Sequence, residues 1–269
     1  MRPEDGRDGG KACRKAGISL MALYDFGATR LFVRTSLGPG LVIPCDRDQT
    51  NYLVNVMRLA DGAGLHVFDG RHGEWRATLR RAAKKTVELV VEAQVRVQTP
   101  AGDLWLVFAP LKQARLDYMV QKAVEMGASR LVPVATRYTQ VGRVNPDRIE
   151  ANAIEAAEQC GILTVPACAP MQPLDTVLSA MPAERRLIFC DEDASLANPV
   201  DVLRPLGASP APLAVLIGPE GGFAPEERAA IGRRANTVAL SLGPRILRAD
   251  TAAVAALAVV QSTLGDWRQ

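Results

Sequence analysis

The amino-acid sequence predicts an α/β protein with two domains, a small β-rich domain followed by a domain built on a mainly parallel sheet. Residues 30–98 contain short apolar or alternating runs separated by glycine or charged turns, a pattern typical of strands. From residue 104 onward, apolar strand-like runs alternate with helical stripes, which indicates a parallel sheet covered by helices. With 269 residues, 48% of them hydrophobic, the chain is long enough to bury two cores.

The first domain is expected at residues 21–98. Residues 1–20 are rich in Gly, Lys, Arg and Asp, so we expect a disordered extension there, with Met21 as an alternative start. Strands are expected at residues 31–34, 65–70, 74–79 and 86–95. Between them, helical spacing at residues 50–59 places four apolar side chains on one inner face: Leu53, Val56, Met57 and Ala60. Many short strands with one helix favour a small barrel.

The second domain is expected at residues 99–269, beginning with the linker-like segment TPAGD. Its predicted strands are residues 104–109, 131–134, 187–190, 213–217 and 238–242. One helical stripe is formed by Leu116, Met119, Val120, Ala123 and Val124, and Gly127 follows as a C-cap. A second helix at residues 148–159 turns Ile149, Ala153, Ala156 and Ala157 inward. A third, at residues 251–264, is apolar nearly all round and must be buried on most sides, either inside its own chain or at a subunit interface.

Composition argues against several classes of protein. There is no apolar run long enough to span a membrane and no apolar segment near the N-terminus that would serve as a signal peptide, so we expect a cytoplasmic protein. The five cysteines are odd in number and have no C-x-x-C spacing, and only two histidines are present. We therefore expect reduced thiols and no metal centre.

The charge distribution favours the first domain as a polyanion-binding surface. Residues 1–100 contain 16 Lys and Arg against 11 Asp and Glu, whereas residues 101–269 contain 16 against 18. A basic surface attracts nucleic acid, although a merely solvated basic face would have the same composition.

Two loops are candidates for the chemistry. The sequence GPEGGF follows the predicted strand at 213–217, and LGPRILRAD follows the strand that ends at 242. Both leave the carboxyl ends of strands, where open α/β sheets bind ligands. Neither matches a dinucleotide or P-loop motif, and two ordinary strand–helix turns remain the alternative. Similarly, Arg245, Arg248 and Asp250 are either functional or a surface ion-pair network.

Beyond these general patterns, two segments together resemble the paired signature of the SPOUT methyltransferases. They are LIGPEGGF at 216–223 and LSLGPRILRADTA at 240–252. The resemblance is strongest to the ribosomal RNA small subunit methyltransferase E family. Further matching segments occur in the same order: NYLVNVMRL at 51–59, FDG at 68–70, KQARLD at 112–117, QKAVEMGA at 121–128 and EAAEQCG at 155–161.

This resemblance implies a C-terminal SPOUT domain with a deep trefoil knot, preceded by a small PUA-like β-barrel domain. It implies a homodimer that uses S-adenosyl-L-methionine to methylate N3 of a uridine in the 16S rRNA of the small ribosomal subunit. Another RNA position, such as a ribose 2′-oxygen, and a non-catalytic ribosome-assembly factor remain the alternative functions.

The resemblance and the loops together nominate residues for each role. As catalytic residues we expect Glu220 or Asp250 to accept a proton and Arg248 to hold a uracil oxygen or the cofactor carboxylate. The expected cofactor-binding residues are Leu216, Ile217, Gly218, Pro219, Glu220, Gly221, Gly222, Leu240, Leu242, Gly243, Ile246, Leu247, Arg248, Thr251 and Ala252. The expected RNA-binding residues are Arg58, Arg80, Arg81, Lys84, Lys85, Lys112, Arg115 and Arg137.

Two positions depart from the family pattern. Ala224 stands where relatives often have Ser or Thr, so the following helix lacks a side-chain N-cap, at a cost of about 1 kcal/mol. Ile162 stands where relatives often have Arg. If that Arg contacts RNA, another residue must replace it here, and Arg137 and Arg143 are the candidates.

Overall fold

A computed structural model describes residues 27–83, 86–208 and 211–268, and these contain two sheets. The predictions for residues 1–20, Met21, Lys84 and Lys85 lie outside the described residues. The first sheet is mostly antiparallel, and in the second sheet every strand pairing is parallel. The predicted order of a β-rich region followed by a parallel α/β region is therefore confirmed.

The first sheet has the strand order β1-β3-β4-β5-β2. Its strands are β1 (Arg30–Phe32), β2 (Val42–Pro44), β3 (Gly64–Phe68), β4 (Glu74–Ala83) and β5 (Thr86–Arg96). Alternating apolar side chains bury one face, as Leu65 and Val67 of β3 do. The sequence patterns did not predict β2, which has only three residues and ends in a proline.

For the predicted helix at residues 50–59, the prediction of which residues face inward is mostly wrong. A short helix α1 (Arg47–Asn51) passes into a π-helical turn, Tyr52–Val56, in which the amide of Met57 donates to the carbonyl of Tyr52 at 2.9 Å. Leu53 is fully buried, but Val56, Met57 and Ala60 are exposed. The wider winding of a π-turn takes residues three and four positions apart off a common face, so the 3.6-residue periodicity does not hold here.

The second sheet has the main strand order β12-β10-β11-β6-β7-β8, with β9 also paired to β7. Its strands are β6 (Leu104–Phe108), β7 (Arg130–Ala135), β8 (Ala167–Cys168), β9 (Gln172–Pro173), β10 (Arg186–Cys190), β11 (Leu213–Ile217) and β12 (Thr237–Leu240). The helices are α2 (Gln113–Glu125), α3 (Pro146–Gln159), α4 (Leu174–Ala180), α5 (Pro199–Leu203), α6 (Pro225–Arg233) and α7 (Ala249–Thr263).

Helices cover both faces of this sheet. Helices α2, α3, α5 and α7 contribute to one apolar core, and α4 and α6 contribute to the other. All the residues predicted to turn inward from α2 and α3 are buried, and Gly127 ends α2 at φ +79° as expected of a C-cap. All five residues of β11 are buried, because the strand is covered on both faces.

The last strand and the last helix have different bounds from those predicted. Strand β12 ends at Leu240 rather than at residue 242, and α7 begins at Ala249 rather than at residue 251. Gly243 has φ +108° and Pro244 has no amide hydrogen, so the chain cannot continue the strand. Asp250 consequently lies in the first turn of α7.

Helix α7 is buried on one face only within the chain. The buried residues are Ala249, Ala253, Ala256, Leu257, Val260 and Gln261. Ala252, Val254, Ala255, Ala258 and Val259 are partly exposed. The expectation that this helix is covered on most sides is therefore not met by the single chain.

A buried polar junction joins the two sheets. Arg30 of β1 donates to Glu74 of β4 at 2.5 Å and to the carbonyls of Ala157 and Glu158 at the end of α3. Arg96 of β5 also contacts Glu74, at 3.2 Å. Arg30 and Glu74 are 4% and 0% exposed, so the contact is desolvated and fixes the first sheet to α3.

None of the helices in the described part of the chain is long and apolar enough to cross a membrane.

Candidate active site

Three adjacent parallel strands, β12, β10 and β11, end at the same edge of the second sheet. The loops that follow them enclose a cavity of about 590 Å³, within the size range of small-molecule sites. Three chain segments form most of its walls. The first, around the end of β10, contributes Cys190, Asp191, Glu192 and Leu196; the second, around the end of β11, contributes residues 217–220, 222 and 223. The third runs from β12 to α7 and contributes residues 240–249 and 252, and Arg228 of α6 completes the lining. The two loops singled out in the sequence thus lie side by side.

The loop after β11, residues 218–223, is shaped by its glycines. Gly222 has φ +69°, a conformation that favours glycine, and its amide donates to the carbonyl of Pro219 at 2.9 Å to close a tight turn. A β-carbon on Gly222 would lie 2.7 Å from Oε1 of Glu192. A β-carbon on Gly218 would lie 2.5 Å from the ring of Phe223. Gly218 therefore lies against the buried Phe223 ring, which leaves no room for a side chain, whereas at Gly222 the positive φ favours glycine and the exposed Glu192 carboxylate could move aside.

The start of α6 confirms that Ala224 supplies no side-chain cap. Glu227 partly compensates, because Oε2 accepts a hydrogen bond from the Ala224 amide at 2.9 Å. Oε1 of the same carboxylate accepts from the amide of Arg137 at 2.8 Å, which ties the loop after β7 to α6. Ile162, the other departure from the family pattern, is half-buried against the core, and its carbonyl accepts from Arg30.

Most of the expected cofactor-binding residues line the cavity. They are Ile217, Gly218, Pro219, Glu220, Gly222, Leu240, Leu242, Gly243, Ile246, Leu247, Arg248 and Ala252. Three others do not line it. Leu216 is fully buried in the opposite core, a β-carbon on Gly221 would lie 3.1 Å from Cβ of Tyr138, and Thr251 is exposed.

Sequence reasoning missed the third wall, the loop that follows β10. Asp191, Glu192 and Asp193 all face Arg228 of α6, with the Asp193–Arg228 contact at 2.7 Å and the Glu192–Arg228 contact at 3.4 Å. The run of three acids directly after a predicted buried strand was the available signal. Burial raises the pKa of the neighbouring Cys190 thiol to about 12, so this side chain stays neutral in the cavity wall.

Of the three expected catalytic residues, Glu220 and Arg248 line the cavity, whereas Asp250 does not. Glu220 lies in the glycine loop, Arg248 precedes α7, and Asp250 lies in the first turn of α7. Within the described residues, neither Arg245 nor Arg248 forms an ion pair, so the alternative of an ion-pair network among Arg245, Arg248 and Asp250 is wrong. Asp250 instead faces Arg115 of α2, and so does Glu220.

The expected RNA-binding residues fall into two groups. Lys112 and Arg115 begin α2, and the exposed Arg137 follows β7 near the cavity loops. Of the other residues that the structure describes, Arg58 is exposed at φ 55° between the π-turn and β3, and Arg80 and Arg81 lie on β4 near the end of the β4–β5 hairpin. Arg80 forms an ion pair with Glu88 at 2.9 Å, so its charge is already partly neutralised.

The described residues contain no group of three or more His, Cys, Asp or Glu that is arranged to hold a metal ion.

The chain is similar to known RNA methyltransferases along most of its length. Residues 98–261 match the RNA methyltransferase domain family, and residues 45–92 match the RNA methyltransferase PUA domain family. Ribosomal RNA small subunit methyltransferase E of Synechocystis is 31% identical, over 80% of this chain and 71% of the relative. The enzyme of the same name from Rickettsia conorii is 29% identical, over 86% of this chain and 94% of the relative.

Solved structures give the same result. Ribosomal RNA small subunit methyltransferase E from Neisseria gonorrhoeae, bound to S-adenosyl methionine, has a TM-score of 0.77 and 26% identity, covering 89% of this chain and 99% of its own. A methyltransferase from Legionella pneumophila in complex with SAM also has a TM-score of 0.77, with 28% identity and the same coverage. The match of sequence and fold over both sheets shows that this chain belongs to the ribosomal RNA small subunit methyltransferase E family of RNA methyltransferases.

Proposed function

We propose that the chain binds S-adenosyl-L-methionine in the cavity and methylates N3 of a uridine in the 16S rRNA of the small ribosomal subunit. The observation that carries this proposal is the cavity itself, enclosed by the two signature loops at adjacent strand ends. Related methyltransferases from Neisseria gonorrhoeae and Legionella pneumophila were solved with this cofactor bound, which supports the same ligand here.

The residues of the cavity fit such a cofactor. Apolar side chains of Ile217, Leu240 and Leu242 offer a surface for an adenine ring, and the loops after β11 and β12 bring backbone groups close to the ligand. Gly222 holds that turn at φ +69°, a conformation that side chains rarely adopt. Arg248, exposed and without an ion pair among the described residues, is available to hold a carboxylate.

The chain's own residues position the acceptor and take up a proton. When bound, S-adenosyl-L-methionine supplies an electrophilic methyl group. As the N3–carbon bond forms and the sulfur–carbon bond breaks, the N3 proton must leave, and the carboxylate of Glu220 or Asp250 accepts it. Holding the reactants in line at the cavity mouth supplies much of the acceleration.

We further propose the domain organisation that the family implies. Residues 21–98 form a PUA-like barrel that contacts RNA, and residues 99–269 form a SPOUT domain with a deep trefoil knot. Support comes from the PUA match at residues 45–92 and from the sheet order, in which β11 lies between β6 and β10. Knots are rare in proteins, so this part of the proposal rests on the family rather than on periodicity.

A homodimer is the proposed assembly. The partly exposed face of α7 is rich in alanine and valine, and small side chains permit close helix approach. Ile246 of the cavity wall is 90% exposed, so a second chain would cover an apolar side chain beside the cofactor. We expect light scattering to show the mass of a dimer at assay concentrations. In thermal unfolding, we expect the melting temperature to rise with protein concentration, because folding and association are coupled. A fully active monomer of about 29 kDa would contradict this proposal.

Mass spectrometry of nucleosides from methylated 16S rRNA tests the proposed reaction. We expect 3-methyluridine after incubation of the protein with S-adenosyl-L-methionine and small subunits that lack the modification. A 2′-O-methylated nucleoside would identify another acceptor position. Absence of any product, together with absence of cofactor binding by calorimetry, would identify a non-catalytic assembly factor.

A further inference from the structure

Arg115 lies between the two carboxylates that we propose as proton acceptors. Its Nη1 is 3.4 Å from Oε1 of Glu220, and its Nε is 3.9 Å from Oδ2 of Asp250. The three residues come from different elements: Arg115 from the first turn of α2, Glu220 from the loop after β11, and Asp250 from the first turn of α7. One guanidinium therefore connects three elements beside Glu220, which lines the cavity.

The exposure of these groups argues against a role in stability alone. The side chains of Arg115, Glu220 and Asp250 are 36%, 43% and 17% exposed. Exposed ion pairs contribute only about 0–1 kcal/mol to folding. Within the part of the chain that the structure describes, Nη2 of Arg115 makes no hydrogen bond, so the partly exposed guanidinium retains donors for a further acceptor.

We propose that Arg115 is a positioning residue for methyl transfer, which sets the carboxylates of Glu220 and Asp250 at the cavity mouth where the acceptor uracil must enter. This inference rests on the proposed function. The planar guanidinium presents several donors in a fixed arrangement, so it can face two acids at once, whereas a lysine offers a single compact charge. Because Glu220 lies in the loop after β11 and Asp250 in the first turn of α7, their common contact with Arg115 also ties these two elements together.

Two other roles predict different kinetics. A contact between Arg115 and an RNA phosphate would affect RNA affinity and its salt dependence, and a lysine would largely replace it. A purely structural ion pair would affect the melting temperature. A positioning role instead affects turnover at saturating substrate, because small misplacements of reacting groups are costly.

Steady-state kinetics of Arg115→Met and Arg115→Lys separates these roles. We expect kcat to fall about 10- to 100-fold in Arg115→Met, with KM for the small subunit within about 3-fold of wild type. Arg115→Lys should remain impaired in kcat. Arg148→Met is the matched control, because Arg148 of α3 forms an exposed pair with Asp117 of α2 and, within the described residues, pairs with neither Glu220 nor Asp250. Its kcat should stay within about 2-fold of wild type.

Double-mutant cycles then test whether Arg115 acts through the carboxylates. Arg115→Met is combined with Glu220→Gln and, separately, with Asp250→Asn. We expect the Arg115 substitution to cost less than about 3-fold in kcat when the carboxylate that accepts the proton has already been removed. Effects that multiply in both cycles would overturn the proposal.

Three measurements keep this outcome distinct from a failure of the proposed function. The wild-type product is first identified by mass spectrometry; if it is not 3-methyluridine, the proposed function fails before Arg115 is tested. Each variant is then checked for its melting temperature and for its affinity for S-adenosyl-L-methionine, and Arg115→Gln replaces any variant that unfolds. A raised KM with a reduced salt slope and an unchanged kcat, rescued by Arg115→Lys, would show a phosphate contact and overturn the proposal.

Discussion

The junction between the two sheets and the mouth of the cavity both contain arginines and acids, but their charges are satisfied to different extents. At the junction, Arg30 and Glu74 are almost completely buried, and Arg30 also donates to carbonyl groups at the end of α3. At the cavity mouth, Glu220 and Arg248 are exposed, and Arg248 has no ion pair among the described residues.

This difference separates a structural use of charge from a functional one. A buried ion must be bonded within the protein, because an unpaired charge in a low-dielectric interior is very costly. An exposed and incompletely bonded ion is available to a ligand. Substitutions at the junction should therefore affect folding, and substitutions at the cavity should affect binding and turnover.

The largest expected effect is at the junction. Glu74→Ala would remove the buried carboxylate that pairs with Arg30 at 2.5 Å and contacts Arg96 at 3.2 Å. We expect the free energy of unfolding to fall by about 3–5 kcal/mol, measured by urea denaturation. A loss below about 1 kcal/mol would show that the junction is not the desolvated contact that its burial indicates.

Glu88→Ala is the matched control for this substitution. Glu88 lies on β5 of the same sheet and pairs with Arg80, but the Arg80 side chain is 54% exposed. Because solvent screens such a pair, we expect a loss of only about 0–1 kcal/mol. The two variants together compare a buried and an exposed glutamate–arginine pair within the same sheet.

The next effect is expected at the glycine loop of the cavity. Gly222→Val places a branched side chain at φ +69°, a conformation that L side chains rarely adopt, so we expect the backbone of the loop to change. We expect affinity for S-adenosyl-L-methionine to fall at least about 100-fold by calorimetry, because the binding surface is made by this loop. Unchanged affinity would show that the loop does not form the cofactor site.

A second glycine provides the control for the Gly222 substitution. Gly232 lies in α6 just beyond this loop, and a β-carbon there meets nothing within 4 Å. Gly232→Ala should therefore leave cofactor affinity within about 2-fold, and alanine should even favour the helix.

The sequence predicted the second sheet and its strand-end loops better than it predicted the junction. Continuous apolar runs such as Leu213–Ile217 identify strands buried on both faces, and glycines after such a strand identify a ligand-binding edge. The junction contains Arg30, Glu74 and the end of α3, which are distant in sequence. No local pattern brings them together, because their contact depends on how the two sheets pack.

Local patterns failed for specific physical reasons at two further places. The π-turn at Tyr52–Val56 follows no 3.6-residue period, so three of the four inner residues predicted for the helix at 50–59, Val56, Met57 and Ala60, are exposed. The contact of Arg115 with both Glu220 and Asp250 joins α2 to residues more than 100 positions later. The motifs nominated all three residues, but only the fold shows that they meet.

The smallest expected effect lies on the β4–β5 hairpin. There, neighbouring arginines on one strand differ as the junction and the cavity do: among the described residues, Arg80 has an ion-pair partner and Arg81 does not. Arg80 is opposed by Glu88 at 2.9 Å. Arg81 forms no ion pair within the described residues, although its amide donates to Asp61. If the first sheet contacts RNA, as the excess of basic residues before residue 100 indicates, Arg81 has the charge that remains available to a phosphate.

Salt-dependent binding to 16S rRNA distinguishes these two arginines. Each lost phosphate contact lowers the slope of log K against log salt by about 0.7–0.9, so Arg81→Gln should show a change of that size. Arg80→Gln should change the slope less, because Glu88 already neutralises part of the Arg80 charge before RNA arrives and would have to be displaced or left unpaired. Arg204→Gln, an exposed arginine paired with Asp201 on the second domain, controls for the loss of one positive charge from the protein. Equal slopes for wild type and all three variants would show that the hairpin is only a solvated surface. If the slope changes more for Arg80→Gln than for Arg81→Gln, the Arg80–Glu88 ion pair must open when RNA binds. An ion pair in the free protein would then not predict which arginine contacts the RNA.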